Sequence, residues 1–113
     1  MSQDTLSQYQ AIYDIVKLIP FGRVCSYGVI AKCVGYGCTA RVVGRAMFNS
    51  HNLPEVPAHR VLNSQGKLTG RFHFETPTRM QELLEAEGIT IKNDKVLDFK
   101  TIFWDPDTLA EKF

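Results

Sequence analysis

Residues 26–49, SYGVIAKCVGYGCTARVVGRAMFN, form the most regular stretch of the sequence. Ser26 and Thr39 are helix-capping residues, and an amphipathic run follows each of them. Glycines separate the two runs and end the first one. The pattern predicts a helix-turn-helix with helices over 27–34 and 40–49. The residues expected on its inner faces are Ile30, Ala31, Val34, Val42, Val43, Ala46 and Met47.

One face of the second predicted helix is basic. Arg41, Arg45 and Asn49 recur every four residues, so they share that face. Residues 23–79 hold eight basic and two acidic residues, whereas the flanking segments hold five basic and ten acidic ones. In a helix-turn-helix the second helix meets the DNA groove. The charge pattern therefore favours a face that binds a polyanion, and the alternative is an ordinary solvated surface.

One more helix is predicted on each side of this pair. An amphipathic pattern over 5–19 ends at Pro20, which cannot continue a helix. Pro77 at a first helical position and Gly88 beyond the end delimit another helix. Its residues expected to face the core are Met80, Leu83 and Leu84.

The sequence predicts little β-structure. Prolines and turn signals over 50–70 indicate an extended loop with a short strand at 61–62. Apolar stretches at 89–91 and 96–99 flank Asn93-Asp94, which is typical of a hairpin turn. The expected fold class is mainly α with a small β-hairpin. We predict a winged helix-turn-helix DNA-binding domain that occupies residues 1–113 as a single domain.

Composition and cysteine spacing exclude several kinds of protein. The sequence has no apolar run of about 18 residues and no signal-peptide pattern, which predicts a soluble, unexported protein without a membrane partner. Cys25, Cys33 and Cys38 are odd in number, and no second pair of ligands follows at zinc spacing. We expect small reduced thiols, with no disulfide, no metal site and no cofactor.

Residues 56–61, VPAHRV, carry the most specific motif. They resemble the Pro-Cys-His-Arg-Val reaction centre of the O6-alkylguanine-DNA alkyltransferases. Other stretches resemble that family in the same order along the chain, namely IPFGRV at 19–24 with SYG at 26–28, ARVVGRAM at 40–47, Asn63-Ser64 with Gly66, and LLEAEG at 83–88. Together the matches cover roughly residues 12–91. The resemblance depends on several motifs that occur in the family's order, because any one of them alone would be weak evidence.

Ala58 stands where the family's reactive cysteine would be. In the enzymes, a His and a Glu convert that cysteine into a thiolate that takes the alkyl group irreversibly. A methyl side chain has no lone pair and cannot do this. His59 and Glu87 remain at the relay positions, and without the thiol we expect a buried hydrogen-bonded pair that fixes the loop. No cysteine is adjacent to His59 in sequence, so we expect none to replace the thiol.

These departures make the sequence similar to the alkyltransferase-like proteins, in which another residue replaces the cysteine. The sequence also begins close to the DNA-binding part, without the family's additional N-terminal α/β domain. The resemblance implies a non-enzymatic protein that binds O6-alkylguanine in duplex DNA, flips the base into a pocket and leaves it intact. It also implies nucleotide excision repair proteins as partners. We expect a monomer, cytoplasmic and associated with the nucleoid, or nuclear in a eukaryote.

The resemblance assigns roles to residues of two candidate sites. Arg41 matches the finger that fills the gap left by a flipped base, and Tyr27 matches the tyrosine that rotates the 3′ phosphate. The helix enters the minor groove in this family, where Arg45 and Asn49 would contact phosphate or sugar. Arg71 would place a cation beside the flipped base. The residues expected to line the lesion pocket are Val56, Pro57, Ala58, Val61 and Arg71.

Two other functions stay open at this point. One is a winged-helix transcriptional regulator with a vestigial pocket, which predicts sequence-specific binding to undamaged DNA. The other is an alkyltransferase inactivated by replacement of its cysteine with Ala58. For each site residue, the alternative is a structural role in the core or at a solvated surface.

Overall fold

Helices dominate the computed structural model, which describes residues 2–35 and 37–108, with side chains from residue 8 onward. The helices are α1 (Ser2–Val16), α2 (Tyr27–Val34), α3 (Ala40–Phe48), α4 (Arg79–Ala86) and α5 (Phe99–Ile102). The strands are β1 (Cys25–Ser26), β2 (Val61–Leu62), β3 (Ile91–Lys92) and β4 (Lys95–Val96). The expected class, mainly α with a small β-hairpin, is confirmed. No helix in the described residues is long and apolar enough to cross a membrane.

The α2–α3 pair forms where the capping residues predict it. The Ser26 hydroxyl accepts a hydrogen bond from the Val29 amide at 3.2 Å, and the Thr39 hydroxyl accepts one from the Val42 amide at 3.3 Å. Each cap satisfies an amide that has no partner within the first helical turn. Five of the residues expected on the inner faces are buried, and Val34 and Val42 are half-buried. The buried residues are Ile30, Ala31, Val43, Ala46 and Met47.

α1 ends at Val16, three residues before the predicted end at Ile19. The chain leaves the helix through tighter turns, in which the Leu18 amide donates to the Ile15 carbonyl and the Ile19 amide to the Val16 carbonyl. The cause is Pro20, because proline has no amide to donate to the Val16 carbonyl four residues earlier, and its ring would clash with that carbonyl. Ile19 is nevertheless buried, so the apolar pattern identified the core contact correctly and the helix end wrongly.

α4 begins at Arg79, two residues after the predicted start at Pro77. The Arg79 amide donates to the Thr76 carbonyl at 3.2 Å, which closes a turn over 76–79. Pro77 is therefore the second residue of a β-turn, where its fixed φ is also favourable, and not the first residue of a helix. Met80 and Leu84 are buried as predicted, and Leu83 is half-buried.

Two small sheets connect the helices. β1 pairs in parallel with β2, with Cys25 opposite Val61 and Ser26 opposite Leu62. The sequence predicted β2 but gave no sign of its partner. β3 and β4 form the predicted hairpin, and its turn residues Asn93 and Asp94 have φ values of 54° and 60°. Positive φ at both positions is what a two-residue type I′ turn requires.

The hairpin is shorter than predicted. β4 ends at Val96 and not at the predicted Phe99, and Phe99 is instead the first residue of α5. Asp98 precedes α5 with a φ of 57°, a left-handed conformation that turns the chain away from the strand direction. The apolar pattern alone could not distinguish one helical turn from a strand.

The buried residues form two clusters. We call the first the helical cluster, which consists of Ile12, Tyr13, Val16, Ile19, Cys25, Ile30, Ala31, Val43, Ala46, Met47, Val56, Val61 and Trp104. We call the second the hairpin cluster, which consists of Val24, Leu62, Leu68, Met80, Leu84, Ile89 and Val96. Side chains alternate in direction along a strand. Cys25 and Val61 therefore point into the helical cluster, whereas the adjacent residues Val24 and Leu62 point into the hairpin cluster. The β1–β2 pair therefore separates the two halves of the core.

The segment after α5 returns to β1. The Trp104 amide donates to the Val24 carbonyl at 2.7 Å, and the Val24 amide donates to the Ile102 carbonyl at 3.0 Å. Trp104 is buried in the helical cluster. The described part of the C-terminal segment is therefore part of the fold, although no motif in the sequence predicted its position.

Candidate functional site

A cavity of about 790 Å³ lies between the two halves of the molecule. Tyr27 of α2 and Met47 of α3 contribute to one wall, and Met80 and Leu83 of α4 contribute to another. The volume lies within the range of pockets that hold a small molecule. The cavity is therefore the first candidate for the predicted pocket.

The VPAHRV motif forms a wall of this cavity. Residues Ala58–Arg60 form a single 3-10 turn, in which the Arg60 amide donates to the Pro57 carbonyl at 3.0 Å. The turn places Val56, Pro57 and Ala58 together along the cavity. Three of the five predicted pocket residues are thus adjacent to one another, and Ala58 contributes a methyl group to the cavity wall.

Glu87 holds this turn through four hydrogen bonds. Its carboxylate accepts from His59 Nε2 at 2.7 Å, from Arg60 Nε at 2.9 and 3.1 Å through its two oxygens, and from the Gly22 amide at 2.7 Å. Arg60 NH2 lies 2.9 Å from the same carboxylate, and Arg60 NH1 donates to the Ile19 carbonyl. Side-chain exposure is 5% for Glu87, 14% for His59 and 16% for Arg60, so the ion pair is largely shielded from water. The predicted His59–Glu87 pair exists, and the ion pair of Arg60 with Glu87 was not predicted.

Burial and charge set the protonation of this network. Burial lowers the pKa of His59, and the positive charges of Arg60 and Arg79 add to this effect, although Glu87 opposes it. For Glu87, burial alone would raise the pKa, but hydrogen bonds from Arg60, Gly22 and His59 outweigh burial and lower it. His59 is therefore neutral with its proton on Nε2, where it donates to an ionised Glu87.

In the described residues, no thiol lines the cavity. Cys25 is fully buried in β1, and burial is the main cause that raises its pKa to about 12. Burial also raises the pKa of Cys33 and Cys38, which lie near the end of α2 and in the turn before α3. A thiol with a raised pKa is a poor nucleophile at neutral pH. The three cysteines therefore lack both the position and the acidity that alkyl transfer requires.

Tyr27 links the helix pair to the cavity. It is the first residue of α2, and its half-buried ring lines the cavity. Burial raises the pKa of its hydroxyl, and a hydrogen bond with Thr69 opposes that rise. A Cβ atom at Gly70 would lie 2.6 Å from the Tyr27 hydroxyl, so a larger residue at this position would displace the Tyr27 side chain. Tyr27 thus connects the first turn of α2 to the loop at 69–70.

The predicted basic face of α3 is exposed. Arg41, Arg45 and Asn49 are all exposed, and no ion pair joins either arginine to another described residue. Asn49 also has a structural task, because its amide nitrogen donates to the Arg45 carbonyl at 2.9 Å at the end of the helix. Phe48 lies beside this face and is 51% exposed. The face therefore offers two uncommitted guanidinium groups to a ligand.

Two predicted pocket residues do not line the cavity. Val61 is fully buried in β2, where alternation along the strand directs it into the helical cluster. Arg71 begins a 3-10 turn over Arg71–His73, and its guanidinium pairs with Asp94 of the hairpin turn and covers the Phe72 ring. The structure therefore places Val61 in the core and Arg71 on the hairpin side of the loop.

Several cavity residues were not predicted from the sequence. No motif in the sequence includes His51 or His73; both are exposed, and both also line the cavity. The Phe48 ring contacts His73 edge-on at 4.8 Å, which connects α3 to the loop over the cavity. The polar or charged residues at the cavity that no motif indicated are Lys17, Ser50, His51, Glu55, His73, Glu75 and Arg79. They come from separate segments, so only the folded chain brings them together.

The sequence and the fold are similar to those of known proteins. Residues 7–89 match the family described as the DNA-binding domain of 6-O-methylguanine DNA methyltransferase. Alkyltransferase-like protein 1 of Schizosaccharomyces pombe is 40% identical over 92 residues, which are 81% of this chain and 85% of that protein. A DNA base-flipping protein of Vibrio parahaemolyticus is 38% identical over 95 residues, which are 84% of this chain and 93% of that protein.

A solved structure extends this similarity to the fold. The crystal structure of S. pombe Atl1 in complex with damaged DNA containing O6-carboxymethylguanine superposes with a TM-score of 0.75 at 38% identity. The superposition covers 88% of this chain and 96% of that one. The segment matched by the family contains α2, α3, the cavity turn at Ala58 and α4.

Proposed function

The chain belongs to the alkyltransferase-like proteins, and from that membership we propose that it detects O6-alkylguanine in duplex DNA without repairing it. The observation that carries the proposal is Ala58, which lines the cavity beside His59 where alkyl transfer would require a thiol. Without a nucleophile at this position, a bound O6-alkyl group stays on its base. The protein is then a binder and not an enzyme.

The proposed binding mode assigns one task to each wall of the site. α3 enters the minor groove, and Arg41 fills the gap that the flipped base leaves in the stack. Tyr27 holds the rotated 3′ phosphate from its place between α2 and the cavity. Arg45 and Asn49 contact phosphate or sugar. The support for these tasks is the exposure of the α3 face and the position of Tyr27 in the cavity wall.

The His59–Glu87 pair has a structural task in this proposal. With Ala58 in place of the thiol, His59 has no proton to remove, and its hydrogen bond to Glu87 fixes the turn that forms the cavity wall. The pair then keeps Val56, Pro57 and Ala58 in the position where they contact the alkyl group. Because these contacts are apolar, they favour an alkylated base over guanine.

The wider cellular role follows from the ability to bind an alkylated base without removing its alkyl group. The α2–α3 pair with the β3–β4 hairpin acts as a winged helix-turn-helix domain over residues 1–113, and it binds DNA as a monomer. The marked site is then passed to nucleotide excision repair proteins. Such work takes place where the DNA is, in the cytoplasm at the nucleoid or in a nucleus.

A binding comparison tests the proposal. One duplex is prepared with guanine or O6-methylguanine at a single position, and fluorescence anisotropy measures the affinity for each. We expect tighter binding to the damaged duplex, because an alkylated base is easier to unpair and the cavity accommodates it. Equal affinities would refute the proposal. Tight binding to one undamaged sequence would instead support the winged-helix regulator, for which the basic α3 face is the favouring observation.

Mass spectrometry tests whether the lesion stays intact. After long incubation with O6-methylguanine DNA we expect the protein mass unchanged and the lesion still present, because Ala58 offers no nucleophile. A methyl group mapped to any of the cysteines would contradict a role as a binder. Ala58→Cys is the informative companion, since methyl transfer in that variant would show that the relay residues of an inactivated alkyltransferase are still functional.

A further inference from the structure

One large apolar side chain interrupts the polar face of α3. Arg41, Arg45 and Phe48 are all exposed and follow one another at spacings of four and three residues, so they form one stripe along the helix. Phe48 is 51% exposed, which leaves much of its apolar ring in water. Phe48 therefore continues, without a charge, the face on which both arginines lie.

The Phe48 ring lies at the end of α3 that is nearest to the cavity. Met47 and Ser50 line the cavity, whereas Arg41 is about 10 Å from Phe48 along the helix axis. His73 lines the cavity from a different loop, and its ring contacts the Phe48 ring edge-on at 4.8 Å. Phe48 is not itself a lining residue. The ring is therefore placed outside the cavity, beside its mouth.

Two histidines restrict the Phe48 ring. His51 Nδ1 lies 3.1 Å from the Phe48 carbonyl, and the His51 ring centre lies 6.5 Å from that of Phe48. His73 contacts the ring edge-on. A ring that its neighbours already hold in place loses little conformational freedom when a ligand contacts it. The exposed part of Phe48 is thus a preorganised apolar surface at the cavity mouth.

In the proposed binding mode, a flipped nucleotide places different groups on the two sides of this mouth. The base lies inside the cavity, and the phosphates stay with the duplex on α3, where Arg41 and Arg45 are available to them. The deoxyribose joins the two and therefore lies at the mouth. Its carbon-bound hydrogens make it the least polar part of the DNA backbone, so it complements an aromatic ring better than a cation does.

We propose that Phe48 is a DNA-contact residue whose ring packs against the deoxyribose of the flipped nucleotide at the mouth of the cavity. This inference rests on the proposed function, because only a flipped nucleotide places its sugar there. The contact removes apolar surface from water and releases no counterion from a phosphate. It therefore contributes to affinity without adding to the salt dependence, in contrast to the contacts of the two arginines.

Two duplexes that lack a base at one central position test the sugar contact directly. One carries a tetrahydrofuran abasic analogue, which keeps the sugar ring and leaves the stack without the cost of unpairing a base. The other carries a propanediol spacer, which has no sugar ring. We expect the unmodified protein to bind the tetrahydrofuran duplex about three- to tenfold more tightly by fluorescence anisotropy, the range for burial of about half a phenylalanine side chain.

Phe48→Ala should remove this difference, so that the variant binds the two duplexes equally while the slope of affinity against salt stays unchanged. Phe48→Gln is the second variant, because glutamine is favourable in a helix and also removes the ring, and it should give the same result. Urea denaturation verifies that each variant is folded. Phe21→Ala is the matched control and should keep the preference, because Phe21 is 69% exposed and does not line the cavity.

A double mutant distinguishes a direct contact from an effect through His73. In a His73→Ala background, Phe48→Ala should still remove the preference for the tetrahydrofuran duplex. If Phe48 acted only by holding His73 at the cavity, the second change would have no effect in that background, and the inference would be overturned.

The remaining outcomes separate the inference from the proposed function. Equal binding of guanine and O6-methylguanine duplexes by the unmodified protein overturns the proposed function. A preference for the O6-methylguanine duplex, combined with a tetrahydrofuran preference that Phe48→Ala retains, overturns the inference alone. The inference is also overturned if the unmodified protein binds the tetrahydrofuran and propanediol duplexes equally, or if Phe21→Ala removes the preference.

Discussion

The arginines of α3 lie in different electrostatic surroundings from those of the cavity wall and of the loop beside it. Arg41 and Arg45 are exposed, and no ion pair joins them to another described residue. Arg60, Arg71 and Arg79 each lie within 4 Å of a carboxylate, at distances from 2.5 to 3.7 Å. A charge already paired inside the protein contributes to the fold or to positioning, whereas an unpaired exposed charge is available to a phosphate. The same residue type therefore has separable tasks in the two regions.

The largest effect on stability is expected at the Arg60–Glu87 ion pair, which is the least exposed of the arginine ion pairs. Glu87→Ala removes the partner of Arg60 and His59 and leaves the Gly22 amide without its acceptor. Breaking a buried ion pair in this way costs about 3–5 kcal/mol of unfolding free energy. Urea denaturation at neutral pH measures the loss. The matched control is Arg41→Ala, which should change stability by less than about 0.5 kcal/mol, since an exposed unpaired arginine contributes little to the fold.

The dependence of stability on pH is a second test of the contribution of the Glu87 network to the fold. The folded state lowers the pKa of both His59 and Glu87, so the unfolded chain binds their protons more readily. Their contribution to stability is complete above the ordinary pKa of each group and decreases as the pH falls through the lowered one. The fall begins below the ordinary His value of 6.5 and continues below the ordinary Glu value of 4.5. Glu87→Gln should flatten the lower part of this profile, and an unchanged profile would argue that the network is not coupled to folding.

An intermediate effect is expected for DNA binding at Arg41. Arg41→Ala should weaken binding to the damaged duplex by about 1–3 kcal/mol, the range for lost stacking and base contacts. It should also reduce the fluorescence of a reporter base at the flipped position. Arg41→Lys is the matched variant, because it keeps the charge but loses the planar group that can stack. A lysine that restored full affinity and flipping would make Arg41 a simple phosphate contact.

The smallest effect is expected at Arg45, on the same face of α3. As a backbone contact, Arg45→Ala should weaken binding to damaged and undamaged duplexes by similar factors and reduce the slope of affinity against salt by about one. Lys100→Ala on α5 is the control and should leave the slope unchanged, because Lys100 is exposed on an element outside both the α2–α3 pair and the hairpin. A loss confined to the damaged duplex would instead place Arg45 at the lesion.

Local patterns in the sequence predicted the elements that depend on near neighbours. The caps at Ser26 and Thr39 and the turn at Asn93-Asp94 each use residues within a few positions, so their geometry follows from the sequence. The β1–β2 pairing does not, because it joins residues 36 positions apart through strands of two residues each, too short for any periodicity.

The site was also predicted only in part, because some of its contacts join residues that are far apart in the sequence. The resemblance identified His59 and Glu87, and the structure places them 2.7 Å apart. It did not predict the direction of Arg71, because a side chain in a single 3-10 turn has no repeating face that a pattern could reveal. Neither could spacing show that His51 and His73, from separate loops, line one cavity. Side-chain positions that depend on long-range contacts could be found only from the folded structure.

Trp104 gives the molecule a natural optical probe of one of its halves. It is the single tryptophan of the chain, and its indole is buried in the helical cluster. Its emission therefore reports on the packing around α1, α2 and α3, whereas the hairpin cluster contains no such chromophore. Intrinsic fluorescence follows loosening of the half that presents Arg41 and Arg45, and far-ultraviolet circular dichroism follows the helices of both halves. Coincident transitions by the two methods would mean that the chain unfolds as one cooperative unit.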